Sequence, residues 1–121
     1  MQIHFKGSNY ELSGPITKLA RRKVEGLRKF CGKDAELARA YVDLGKESEA
    51  HANGRIWRAD INFDVNGNRF YAKAVEESIE KAIDKAVSEV ASELKSARKR
   101  EQSLVKKGGG MIKSLMRGFQ S

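Results

Sequence analysis

Few residues in this chain have side chains suited to covalent or acid–base chemistry. His4, His51 and Cys31 are its only imidazoles and its only thiol, and none stands at a spacing that pairs a nucleophile with a base or sets two ligands on one metal. His4 falls in an alternating segment and His51 in a polar one, so both read as ordinary surface residues. Cys31 reads as a small, half-buried side chain rather than a reactive thiol. Asp60 and Asp64 share a strand face and would suit a cation, but Arg58, Arg69 and Lys73 are expected on that face too, and cross-strand pairing accounts for all five. Gly108 to Gly110 lacks the preceding strand and the following Lys-Ser/Thr of a phosphate-cradling loop, and reads as a linker. Neither a catalytic residue nor a metal, cofactor or small-molecule substrate is expected from this set.

Cationic groups give the stronger signal. The 121 residues carry a net charge of +8, an excess that favours a polyanionic partner. From Met1 to Leu94 the chain has 16 Lys/Arg against 15 Asp/Glu, whereas Lys95 to Ser121 has 8 against Glu101 alone. Within the first part, Gly14 to Lys33 holds seven basic residues and only Glu25. Two groups result: Lys18, Arg21, Arg22, Lys23, Arg28 and Lys29, then Lys95, Arg98, Lys99 and Arg100, followed by Lys106 and Lys107. No nearby carboxylates in the sequence balance either group, so both are expected to contact phosphate. Such contacts set affinity and salt dependence without reading bases, which points to folded RNA rather than a base string. Tyr41 and Tyr71, expected outward on neighbouring strands, are the only candidates for base stacking. An anionic membrane surface or a protein partner, engaged by the basic tail, is the alternative.

The elements that must position these groups follow from hydropathy patterning. Ile3 and Phe5 alternate with polar residues as a first strand, closed by Gly7-Ser8-Asn9. Ser13 before Gly14-Pro15 marks a helix start, and Ile16, Leu19, Ala20, Val24, Leu27 and Phe30 form one apolar stripe. A second strand is predicted over Leu37 to Leu44, a loop over Gly45 to Gly54, and a third strand in which Trp57, Ala59, Ile61, Phe63 and Val65 face inward. Asn66-Gly67 turns the chain into a fourth strand through Phe70, Ala72 and Ala74. From Ser78, the residues Ile79, Ala82, Ile83, Ala86, Val87, Val90, Ala91 and Leu94 mark a second helix. The predicted fold class is α+β, β-α-β-β-β-α, a four-stranded sheet with two helices on one face and the other face open. Strands one and two would be parallel if adjacent, and two to four an antiparallel meander. Residues 1–100 form the expected domain. Residues 101–121 form a basic tail, with a flexible break at Lys106 to Gly110 and an amphipathic segment at Met111, Ile112, Leu115, Met116 and Phe119. The opening residues lack the pattern of an export signal, no stretch is apolar enough for a bilayer, and one cysteine excludes an internal disulfide, so the cytosol is the expected compartment.

Three segments, Ile3-His4-Phe5-Lys6-Gly7-Ser8-Asn9-Tyr10-Glu11-Leu12-Ser13, Lys23-Val24-Glu25-Gly26-Leu27-Arg28-Lys29-Phe30 and Lys81-Ala82-Ile83-Asp84-Lys85-Ala86, resemble in order and spacing the ribosome hibernation-promoting factor family, also called ribosome-associated inhibitor. The resemblance covers roughly Met1 to Arg100. It implies a fold similar to double-stranded-RNA-binding domains and a seat on the small ribosomal subunit, against its ribosomal RNA, where transfer and messenger RNA would pass. Initiation would then be blocked and idle ribosomes held inactive. By position, Lys23, Arg28 and Lys29 match the basic end of the family's first helix, and Arg98 to Arg100 that of its last. At Glu77-Ser78-Ile79-Glu80 relatives commonly carry an aromatic residue that this chain lacks. Long members also carry a second domain that pairs ribosomes, for which 121 residues leave no room, so direct dimerisation of ribosomes is not expected.

Overall fold

The computed structural model describes residues 1–47 and 54–108, with side chains through Glu101. His51 and the segment from Met111 to Phe119 lie outside the described residues. The elements run β1 (Gln2–Ser8), α1 (Gly14–Glu25), two short 3₁₀ turns (Gly26–Phe30 and Gly32–Leu37), β2 (Arg39–Lys46), β3 (Trp57–Val65), β4 (Asn68–Glu76) and α2 (Ile79–Gly108). The strands form one sheet in the order β1-β2-β3-β4. β1 pairs with β2 in parallel, and β2 with β3 and β3 with β4 antiparallel, the α+β arrangement predicted.

Local chemistry sets the element ends. Ser13 has extended backbone and its Oγ accepts from the Ile16 N–H at 3.3 Å, with Pro15 in the first turn where its missing N–H costs nothing. Ser78 does the same for α2 by accepting from the Lys81 N–H at 3.2 Å. Asn66 and Gly67 both have positive φ, 55° and 79°, as the tight turn between two antiparallel strands requires.

Packing follows the two periodicities. Ala59, Ile61 and Phe63 of β3 are wholly buried, and Ile79, Ala82, Ile83, Ala86, Val90 and Leu94 line the buried side of α2. α2 rests on β3 and β4, while α1 lies beside it and against β1, so both helices cover one sheet face. Among the described residues no buried one is polar or charged.

Four boundaries differ from the sequence reading. β2 runs to Lys46 rather than Leu44, because Gly45 and Lys46 still pair with Arg58 and Trp57 of β3. β2 begins at Arg39 rather than Leu37, because the Ala38 N–H bonds the Ala35 carbonyl and draws Leu37 into the preceding turn, where it is 76% exposed. The first stripe is not one α-helix: after Gly26, a poor helix former, the chain tightens into a 3₁₀ turn that still buries Leu27. α2 runs to Gly108, past the break expected at Lys106, since from Lys95 to Lys107 the sequence has neither Gly nor Pro to stop it.

Gly45 marks a close approach. It pairs with Ser8 on one side and Arg58 on the other, and a Cβ there would stand 2.5 Å from the Ser8 carbonyl oxygen and 2.7 Å from an Arg58 guanidinium nitrogen. Gly45→Ala should therefore cost about 1–3 kcal/mol through overpacking. Phe63→Ala, by emptying the centre of the core, should cost about 3–5 kcal/mol. Urea unfolding followed by circular dichroism checks both, and a midpoint unchanged from wild type would contradict the assigned packing.

Candidate nucleic-acid interface

The basic groups of the two helices meet at Phe30. Because α1 and its 3₁₀ extension lie against α2, the ammonium of Lys29 stands 5.2 Å from the centre of the Phe30 ring and that of Lys95 stands 5.0 Å from the same centre. Each is within cation–π range, which holds two like charges beside one ring. Lys33 and Arg98 line the hollow next to that ring. Lys18, Arg21 and Arg22 follow α1 away from this junction, and the Arg21 guanidinium lies over Phe5 at 5.2 Å, carrying positive charge toward the β1 edge. Lys99 and Arg100 continue along α2. All of these cations except those at the ring contacts point freely to solvent, and none pairs with a carboxylate among the described residues.

Two of the expected contacts are engaged inside the molecule. Lys23 bonds Asp84 of α2 at 2.8 Å, which ties the helices together. Arg28 reaches Glu25 at 3.4 Å and also pairs with Glu36. The hydrogen bond that Arg28 donates to Glu36, with the carboxylate's charge, raises the Arg28 pKa, and the same bond holds the Glu36 carboxyl below its ordinary value. Sequence neighbours did not reveal these partners because Asp84 and Glu36 reach the cluster only through folding. The side chains of Lys106 and Lys107 lie outside those described.

On the open sheet face most charges are paired, Lys6 and Arg39 being exposed there without an ion pair among the described residues. Arg58, only 13% exposed, lies among Asp43 at 3.7 Å, Glu47 at 3.5 Å and Asp60, with which it also pairs. Arg69 bonds Asp64 at 2.8 Å, and Lys73 stands 3.9 Å from Glu47. Asp64 is thus held by a cross-strand cation, whereas the cation on Asp60 is Arg58 of its own strand. Tyr71 donates its hydroxyl to Asp60 at 2.8 Å, which raises the phenol pKa. His4 stacks on Tyr41, ring centres 5.1 Å apart. Tyr41 and Tyr71 are not on neighbouring strands: Asn62 of β3 stands between them in register.

Cys31 has its thiol 3.3 Å from the Leu27 carbonyl, and burial pushes its pKa up, so the neutral, weakly nucleophilic form is favoured. No group of three or more metal-ligating side chains is gathered among the described residues, and no helix among them is long and apolar enough to cross a membrane.

Sequence reasoning did not single out Phe5 and Phe30 as the rings beneath the cations, nor Lys33, Asn66 and Asn68 around the hollow. The helical stripe assigned Phe30 to the core and the strand alternation assigned Phe5 to it, whereas both are only partly buried.

Comparisons with known proteins agree with this architecture. The N-terminal domain of Protein Y from Thermus thermophilus superposes with a TM-score of 0.67 at 23% identity, over 79% of this chain and 98% of that one. A ribosomal subunit interface protein from Coxiella burnetii superposes with a TM-score of 0.64 at 15% identity, over 81% and 98%. A search of curated proteins finds no match. The family model described as Sigma 54 modulation protein / S30EA ribosomal protein matches residues 3–102. With its order of strands and helices and nearly the whole described domain inside that match, the chain belongs to this family, that of the ribosome hibernation-promoting factors.

Proposed function

We propose that the folded domain docks on the small ribosomal subunit through its basic helices, occupies the channel used by transfer and messenger RNA, and so keeps idle ribosomes inactive without catalysing any reaction. The observation that carries this is the junction at Phe30, where Lys29 of one segment and Lys95 of the other come to a single ring. Family membership supports a ribosomal partner, and the free cations on both helices suit ribosomal RNA in particular. A duplex or folded RNA offers phosphates at fixed spacing to rigid helices, so affinity comes from counterion release and falls steeply with salt. The sheet face, most of whose charges are spent on one another, is the poorer electrostatic partner. Residues 101–121 would add a further anchor beyond the domain at 1–100.

Sedimentation of the protein with purified small subunits at rising salt tests the proposal. The expected result is co-sedimentation in dilute salt that is lost as salt rises; protein absent from subunit fractions even in dilute salt, or bound instead to anionic vesicles, would overturn it. Replacing Arg98, Lys99 and Arg100 together with Glu should lower affinity at least about tenfold and reduce the slope of log affinity against log salt by about three. The circular-dichroism spectrum should stay native, because all three side chains are exposed. Unchanged affinity with a native spectrum would remove these residues from the interface.

A further inference from the structure

Where the two basic groups meet, the surface is concave. A cavity of about 180 Å³ opens between the 3₁₀ turns, the β3–β4 hairpin and α2. Its walls include the rings of Phe30 and Phe70, the amides of Asn66 and Asn68, and the small side chain of Ala97. Phosphate contacts alone need neither a hollow nor aromatic walls.

The charges inside the hollow cancel. Lys33 and Arg98 are equalled in number by Asp34 and Glu101 along the lining, with no ion pair joining them, so the interior carries no net charge to attract phosphate. The unmatched cations, Lys29 and Lys95, stand at the Phe30 ring. A phosphate is therefore favoured at that ring and an uncharged group within. Sites that enclose a whole small-molecule ligand measure roughly 300–1,000 Å³, which leaves room here for one ring system rather than a complete nucleotide. Amides and carboxylates can satisfy both donors and acceptors of a base edge, and aromatic walls offer stacking surface.

Given the RNA-docking reading of this face, we infer that the hollow beside Phe30 receives a single unpaired nucleobase extruded from the bound RNA, with the adjoining phosphate held by Lys29 and Lys95. The domain would then select RNA with a bulged or looped-out nucleotide over continuous duplex, a preference that contacts to phosphate cannot supply.

Nuclear magnetic resonance titration of the full chain with adenosine 5′-monophosphate, and separately with ribose 5-phosphate, isolates the base. Both should perturb the amides of Lys29 and Lys95. Only the nucleotide should perturb Cys31 to Lys33, Asn66 to Phe70 and Ala97, and it should bind at least about fivefold more tightly. Ala97→Trp, which fills the hollow, should abolish the base-dependent response and leave that to ribose 5-phosphate intact. Asn68→Ala, which adds no bulk, should weaken the nucleotide response and serves if the Trp variant does not fold. Equal responses to the two ligands, a nucleotide response centred on Tyr41 and Tyr71, or one unaltered in a folded Ala97→Trp would overturn the inference. Wild-type protein that binds small subunits but shows no base-dependent response sinks the pocket alone. A base-dependent response in protein that never binds subunits sinks the ribosomal reading instead.

Discussion

Everything in this domain depends on α2 lying flat against the β3–β4 half of the sheet. Alanines at 82 and 86 face β3 and β4, where Ala59, Ala72 and Ala74 are also small, so helix and sheet can approach closely around the larger Ile61, Phe63 and Ile83. Once α2 is seated there, the remaining sheet face can be covered only by α1 and its 3₁₀ extension, which come to rest beside it. The meeting of Lys29 with Lys95 is thus a by-product of core packing. A site that borrows its geometry from the core is rigid without contacts of its own, which suits recognition of a folded polyanion.

The molecule divides its electrostatics between two surfaces. On the open sheet face, acids and bases along and across neighbouring strands mostly satisfy each other, with Arg58 nearly covered in the process. On the helical side, Lys23 and Arg28 are spent on holding α1 and its extension in place, while their neighbours remain free. Residues of one kind on one helix therefore serve different ends: those turned toward another element bind the protein together, and those turned outward give it a field.

Most of the fold was legible in the sequence because its signals are local. Alternation along Trp57 to Val65, the three-and-four spacing from Ile79 to Leu94, serine caps and the Asn66-Gly67 turn each act within a few residues of where they are read. What the sequence left obscure arises from competition between neighbours. Leu37 fits a strand pattern but loses its backbone to the turn at Ala35, and Leu27 and Phe30 continue a helical stripe through a chain that tightens after Gly26. The candidate site was legible as two charge groups and not as a place. Nothing in the spacing of Glu36 or Asp84 shows that they return to Arg28 and Lys23, and Phe30 looks like core until a lysine from each segment is seen against it.

The length of α2 carries one more consequence. Its 30 residues span about 45 Å, and among the described side chains the last buried one is Leu94, so the helix continues beyond it for about half its length. The charged residues of that stretch are six cations, with Glu101 the sole counterweight. Positive charge near a helix C-terminus complements the backbone dipole, but crowded like charges also repel along the rod. A neighbouring polyanion would remove the repulsion and keep the dipole gain, so winding of this extension would be coupled to the binding proposed for the domain.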